Sequence, residues 1–95
     1  MIVLVSGGFD PLHVGHVRLL AGARKLGTVW VALNSDAWLK RKKGYSFQGW
    51  EERAEILRAC RDVSRVFAFD DADGTVCAAL KKWEPDIFAN GGDRT

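Results

Sequence analysis

A chain of 95 residues that is 47% hydrophobic and 27% charged has the composition of one globular domain. Its net charge of +2 is too small to single out nucleic acid as a partner, and no apolar run approaches the roughly 18 residues of a membrane span. A domain this short buries only about 60% of the surface its unfolded chain exposes, so its margin of stability is thin.

The run Ile2-Val3-Leu4-Val5 reads as a strand covered on both faces, as in a parallel sheet. Met1 leads directly into it, so no signal peptide is expected and a cytoplasmic location is. Val14 to Lys25 reads as a helix with Val14, Val17, Leu20, Ala21 and the stem of Arg24 as its inward stripe, stopped at Gly27. Thr28 to Leu33 is the second strand. Asn34-Ser35-Asp36 caps a short helix running to about Lys40, and Arg41 to Phe47 is expected as a basic, glycine-containing loop. Trp50 to Arg61 is a helix with Ala54, Leu57 and Cys60 among its apolar positions, and Val63 to Phe69 is the third strand. An acidic turn over Asp70 to Gly74 leads to a helix over Thr75 to Trp83, apolar at Val76, Ala79, Leu80 and Trp83. Asp86 to Ala89 is the fourth strand, running into Asn90-Gly91-Gly92-Asp93-Arg94. Cys60 and Cys77 both fall among apolar neighbours in helical patterns and are expected as buried thiols.

Strands alternating with helices build a parallel sheet by right-handed crossovers. The expected fold is therefore α/β, a small Rossmann-like three-layer sandwich spanning residues 1–95 as a single domain. Ligands of such sheets bind outside the carboxyl ends of the strands. Gly7-Gly8, Asn34-Ser35-Asp36 and Gly91-Gly92-Asp93 all follow strands and converge on that edge.

The segment Gly7-Gly8-Phe9-Asp10-Pro11-Leu12-His13-Val14-Gly15-His16 forms a strand-to-helix turn, where backbone N–H groups and a helix N-terminus meet an anion. His13 and His16 are three residues apart and share one helical face. Taken alone, they read first as helix-cap or core histidines, and a zinc pair lacks a convincing third ligand. Gly8 suits a tight turn, and Gly15 a close backbone approach. Asp10 precedes Pro11, where a carboxylate commonly holds a turn, and Asp36 reads as an N-cap or first-turn acid. Lys40-Arg41-Lys42-Lys43 reads as a solvated basic face. Arg53 has glutamates beside it for an ion pair, and Arg61 stands where it would cap the end of its helix. The turn is neither a Walker A loop nor a dinucleotide fingerprint, since Gly-Lys-Ser/Thr and G-x-G-x-x-G are both missing.

The same segment resembles the G-x-F-D-x-x-H-x-G-H signature of the cytidylyltransferase-like nucleotidyltransferases. Asn34-Ser35-Asp36, Lys43-Gly44, Glu52-Arg53 and Pro85 to Asp93 follow in that family's order, so the resemblance covers nearly the whole chain. It implies transfer of CMP or AMP from CTP or ATP to a small phosphorylated acceptor, a sugar phosphate or glycerol phosphate, with release of pyrophosphate. It places His16 at the α-phosphate with His13 beside it, and Asp10 inside the active site. It brings a lysine of the basic segment over the phosphates, Lys43 first and Lys42 next. By the same resemblance, Gly7, Gly8, Phe9, Gly15, Gly91, Gly92 and Asp93 surround the nucleotide, and Asp36, Arg53 and Arg61 serve the acceptor. Mg²⁺ would arrive with the triphosphate, with no separate metal site. Glycerol-3-phosphate cytidylyltransferases and heptose-phosphate adenylyltransferases are the two most similar groups.

Complete family members continue past the Gly-Gly-Asp turn with a further phosphate-binding segment, so the chain is expected to be truncated at its C-terminus. That motivates a second reading, a nucleotide-binding module without turnover. A nucleic-acid-binding domain built on Lys40 to Lys43 is the third. A homodimer is expected, and neither membrane nor nucleic acid is expected as a partner.

Overall fold

A computed structural model describes residues 1–90, in the order β1 (Ile2–Gly7), α1 (Val14–Leu26), β2 (Thr28–Leu33), α2 (Asp36–Lys43), α3 (Trp50–Arg58), β3 (Arg65–Ala68), α4 (Cys77–Trp83) and β4 (Ile87–Asn90). The strands make one parallel sheet ordered β3-β2-β1-β4. The chain steps outward from β1 to β2 and β3, then returns to the far side of β1 for β4. The strand order therefore reverses beside β1, and at such a switch point sheets of this kind take ligands outside the carboxyl ends of the strands.

Alternation along the central strands sorts side chains between two layers. Val3, Val5, Val29, Val31 and Leu33 face α1 and α3, where they pack with Leu20, Ala23, Ala54 and Leu57. Leu4 and Ala32 face α4, where they meet Ala79 with Trp30, Phe69, Val76, Leu80 and Trp83 around them. The α/β three-layer arrangement expected from the sequence is the one observed. No helix among the described residues is long and apolar enough to cross a membrane.

Five local expectations need correction. First, the stripe of α1 is rotated: Val14 and Val17 are exposed while Leu20 and Ala23 are buried. His16 stands four residues before Leu20 and seven before Ala23, so a half-buried imidazole takes the inward position expected for a valine. Second, α2 runs to Lys43 instead of ending near Lys40. Its last turn is all Lys and Arg, good helix formers placed at the negative end of the helix dipole. Gly44 then closes it at φ 86°, a conformation glycine adopts without a Cβ penalty. Lys42 and Lys43 are thus helical, not part of a basic loop.

Third, α3 stops at Arg58, and the chain turns through Cys60 before Ser64 N–H donates to Val29 O (2.8 Å) at the entry to β3. Fourth, β3 is an edge strand of only four residues, and α4 begins at Cys77 instead of Thr75. Fifth, the cysteines differ from each other. Cys77 is exposed, whereas Cys60 is half-buried against the core, where burial and then the Asp62 charge push its thiol up from the ordinary value.

Candidate active site

β1 delivers Gly7 and Gly8 to the carboxyl edge of the sheet. Gly7 O accepts from Asn34 N–H (3.0 Å), which binds the end of β1 to the end of β2. Phe9 follows at φ 48°, an uncommon region for a bulky residue, with its ring buried and edge-on to His16 at 4.8 Å between centroids. The Asp10–Pro11 peptide is cis.

The two histidines close the N-terminus of α1 reciprocally. Gly15 N–H donates to His13 Nδ1 (3.0 Å), and His13 N–H donates to His16 Nδ1 (3.1 Å). This has the logic of a capping box, with imidazoles in place of hydroxyl and carboxylate. The rings stack at 3.8 Å between centroids. Each Nδ1 accepts a hydrogen bond, so the proton of each neutral ring sits on Nε2. The cap reading and the ligand reading of this pair are therefore compatible, because they use different nitrogens. Gly15 has a local reason as well: a Cβ there would lie 2.8 Å from His13 Cε1, so its small size makes room for the capping ring. No acidic residue occupies the first turn of α1, which leaves the positive end of its dipole uncompensated.

Asp10 holds the α2–α3 connection. Its Oδ2 accepts from Phe47 N–H (2.6 Å) and its Oδ1 from Gln48 N–H (2.7 Å). Lys43 Nζ lies 3.0 Å from Asp10 Oδ2 and donates to Asp10 O (2.7 Å). The ammonium also sits 4.8 Å over the Tyr45 ring, and Lys42 sits 5.2 Å over Trp38. Lys43 is thus tied to the histidine-bearing loop by an ion pair at the end of a helix.

Arg53 is the knot of the site. Its side chain is fully buried, and its guanidinium reaches three loops at once. Nη1 donates to Gly8 O (2.8 Å) and Asn34 O (2.8 Å), Nε to Gln48 O (3.0 Å), and Nη2 to Asp36 Oδ1 (2.6 Å). Its ionic partner is Asp36, not a glutamate of its own helix. Asp36 is a first-turn acid of α2, but the N-cap is Ser35, whose Oγ accepts from Trp38 N–H (3.0 Å).

The structure thus gathers Gly7, Gly8, Phe9, Asp10, His13, Gly15, His16, Asp36, Lys42, Lys43 and Arg53 around the carboxyl edge. It does not bring Arg61 there. Arg61 is exposed beyond α3 on the approach to β3, at the amino edge of the sheet, and no helix runs through it to be capped. Gly91, Gly92 and Asp93 lie outside the described residues.

The model of the cytidylyltransferase-like family matches residues 4–95. The chain belongs to that family. Among relatives, it is 43% identical over 97 residues to the bifunctional protein HldE of Syntrophotalea carbinolica, covering 99% of this chain and 19% of the relative. It is 46% identical over 98 residues to that of Pelobacter propionicus, covering 99% and 20%. The chain therefore spans about one fifth of the length of these relatives. In fold, it superposes on the crystal structure of the lipopolysaccharide core biosynthesis protein from Thermoplasma volcanium GSS1 with a TM-score of 0.84 at 24% identity, covering 93% of this chain and 71% of that one.

Membership makes this a nucleotidyltransferase domain at the level of the family, and a metal ion is the accessory such chemistry invites. Among the described residues, no three His, Cys, Asp or Glu side chains gather into a possible metal site. Mg²⁺ is commonly held by one or two carboxylates together with substrate phosphates and water. Asp10, the carboxylate on the histidine loop, already has both oxygens engaged.

Sequence reasoning missed Asp71. Its carboxylate is buried between the β3–α4 connection and the start of α2, where it accepts from Asn34 and Ser35. The sequence offered an acidic turn, which reads by default as solvated, and the resemblance of Phe69-Asp70-Asp71 to the heptose-phosphate adenylyltransferases, and neither gave Asp71 a role of its own.

The engagement of Asp10 has a consequence for acid stability. Burial by itself would raise its pKa, but the Phe47 N–H, the Lys43 ammonium and the Gln48 N–H outweigh burial and hold it below the ordinary 3.8. A carboxylate held low stabilises the fold fully above the unfolded value. That contribution fades as the pH falls from about 3.8 through the lower folded value. Asp10→Asn is expected to be less stable than the parent at pH 7, with the gap narrowing below pH 4 in urea unfolding at stepped pH. A gap constant across that range would contradict the assignment.

Proposed function

We propose that this domain transfers CMP or AMP from CTP or ATP to a small phosphorylated acceptor, a sugar phosphate or glycerol phosphate, releasing pyrophosphate. The observation that carries this reading is the pair of imidazoles at the N-terminus of α1. Their Nδ1 atoms are engaged in the helix cap, which leaves Nε2 as the protonated nitrogen of each ring. They stand on the same loop as the Asp10–Lys43 pair, at the carboxyl edge of a parallel sheet.

In this reading, an oxygen of the acceptor phosphate attacks the α-phosphorus in line, and the bond to the bridging oxygen of the β-phosphate breaks. The attacking oxygen is already ionised, so no protein base or nucleophile is required. Catalysis then consists of orientation and charge stabilisation. His16 Nε2–H donates to the α-phosphate oxygens as charge redistributes, and His13 supports the neighbouring phosphate. Lys43 is anchored by two contacts to Asp10 and presents its remaining N–H to the triphosphate. A Mg²⁺ bound with the nucleotide supplies further neutralisation of phosphate charge. The resemblance of Asn34-Ser35-Asp36, Lys43-Gly44 and Phe69-Asp70-Asp71 to heptose-phosphate adenylyltransferases favours ATP and a sugar phosphate within this reading.

Calorimetric titration with CTP and with ATP, each in Mg²⁺, tests the proposal. Binding of one nucleotide that is lost in His16→Ala is the expected result and names the donor. Equal binding by parent and variant, or no binding by either, would sink it. Binding without pyrophosphate release in the presence of glycerol 3-phosphate or a heptose phosphate would instead define a nucleotide-binding module.

A further inference from the structure

Asp71 carries a buried carboxylate, 5% exposed, that belongs to none of the loops bearing the histidines and Lys43. It sits in the connection from β3 to α4, yet its partners lie at the end of β2 and on α2. Asn34 Nδ2–H (3.0 Å) and Ser35 N–H (2.8 Å) donate to Oδ2, and the Ser35 hydroxyl donates to Oδ1 (2.8 Å). The Arg41 guanidinium donates to the Asp71 carbonyl (3.0 Å). That hydroxyl of Ser35 is also the N-cap acceptor of α2. One residue therefore holds both the first turn of α2 and, through Arg41, its second.

The helix needs such a hold. It has eight residues, and Leu39 is the one among them that is buried. Apolar packing on it is slight, with Trp38 half-buried beside Leu39, so the polar contacts at its start, Asp71 to Ser35 and Arg53 to Asp36, decide where its axis points. Lys43 is its last residue, about 10 Å from the cap. A swing of about 10° at the cap would move that end by about 2 Å, more than the tolerance of a hydrogen bond.

We propose that Asp71 is a positioning residue for Lys43: by fixing the start of α2, it sets where the ammonium at the end of α2 meets the triphosphate. This rests on the reading of Lys43 as a phosphate contact given above. The test is a double-mutant cycle on the dissociation constant of whichever of CTP and ATP binds more tightly, in Mg²⁺, using the parent, Asp71→Asn, Lys43→Ala and the double variant. Lys43→Ala is expected to weaken binding about tenfold. Asp71→Asn is expected to weaken it about fivefold in the parent and less than about twofold once Lys43 is gone, because residues acting through one another are not additive. A merely structural role would give the same factor in both backgrounds, and that result overturns the inference while leaving the proposed function standing. A Lys43→Ala variant that binds like the parent overturns both the lysine assignment and the inference. Should Asp71→Asn fail to fold, Ser35→Ala, which removes the shared hydroxyl, takes its place in the cycle with the same expected pattern.

Discussion

Replacing His16 with Ala is expected to lower nucleotidyl transfer by about 10²–10³-fold, the usual cost of removing one donor aimed at developing charge. The variant also loses an acceptor of the α1 cap, since His16 Nδ1 receives His13 N–H. A stability loss of about 1 kcal/mol should accompany the loss of rate. The two effects separate by substitution. Asn places an acceptor where Nδ1 was and has nothing at the position of Nε2, so His16→Asn should keep the parent melting temperature and remain inactive. Gln can reach either the Nε2 position or, as in the usual capping box, the His13 N–H, but not both at once, so His16→Gln should retain more activity than His16→Asn at no more than the parent stability. Pyrophosphate release measured beside thermal melting checks both. Parental rates from His16→Asn would remove His16 from the α-phosphate.

Arg53→Ala is expected to have the largest effect on stability. The guanidinium is fully buried and donates to three main-chain carbonyls and the Asp36 carboxylate. Truncation strands Gly8 O and Asn34 O at the carboxyl edge, while Gln48 O keeps the Ser46 hydroxyl as a donor. Asp36 is 44% exposed and takes up water once its partner is gone, so the cost falls on the stranded carbonyls, at about 1–3 kcal/mol for each buried group left unpaired, a large share of the roughly 5–15 kcal/mol that holds a small domain together. Arg53→Lys should recover less than half, because a single ammonium cannot reproduce the planar fork that reaches three loops. Urea midpoints at neutral pH measure both variants. An Arg53→Ala protein that melts like the parent but has a raised KM for the acceptor alone would return Arg53 to the acceptor site, where family resemblance puts it.

These two residues show how differently a site is legible in a sequence. His13 and His16 were readable because their spacing fixes their geometry: three residues apart at the start of a helix, they share a face whatever the rest of the chain does. The cap and the ligand seemed to be rival roles only because the sequence does not say which nitrogen each uses. Arg53 was readable as important but not as to its partner. Sequence proximity offered Glu51 and Glu52, whereas the fold delivered Asp36 and the carbonyls of Gly8, Asn34 and Gln48 from other loops. Asp71 was hardly legible, because its partners stand 30 to 37 residues away and an acidic turn carries no periodic signal.

The alternation of apolar strands with helices determined the parallel three-layer sheet, since each strand needed cover on both faces and each crossover a helix. It also determined which edge carries the site, because the glycine- and Asp-bearing turns all follow strands. Only the tertiary structure decided that the inward stripe of α1 begins with His16 instead of a valine. Both stripes satisfy the helical period, and the choice falls to packing against Phe9 and the sheet. Only the tertiary structure closed the Lys43–Asp10 pair, because the hold that aims α2 comes from Asp71 and Arg53, which lie outside it in sequence. Local periodicity is a property of neighbours along the chain. The placing of charge at this site depends on hydrogen bonds between distant loops, and those exist only once the sheet has brought the loops to one edge.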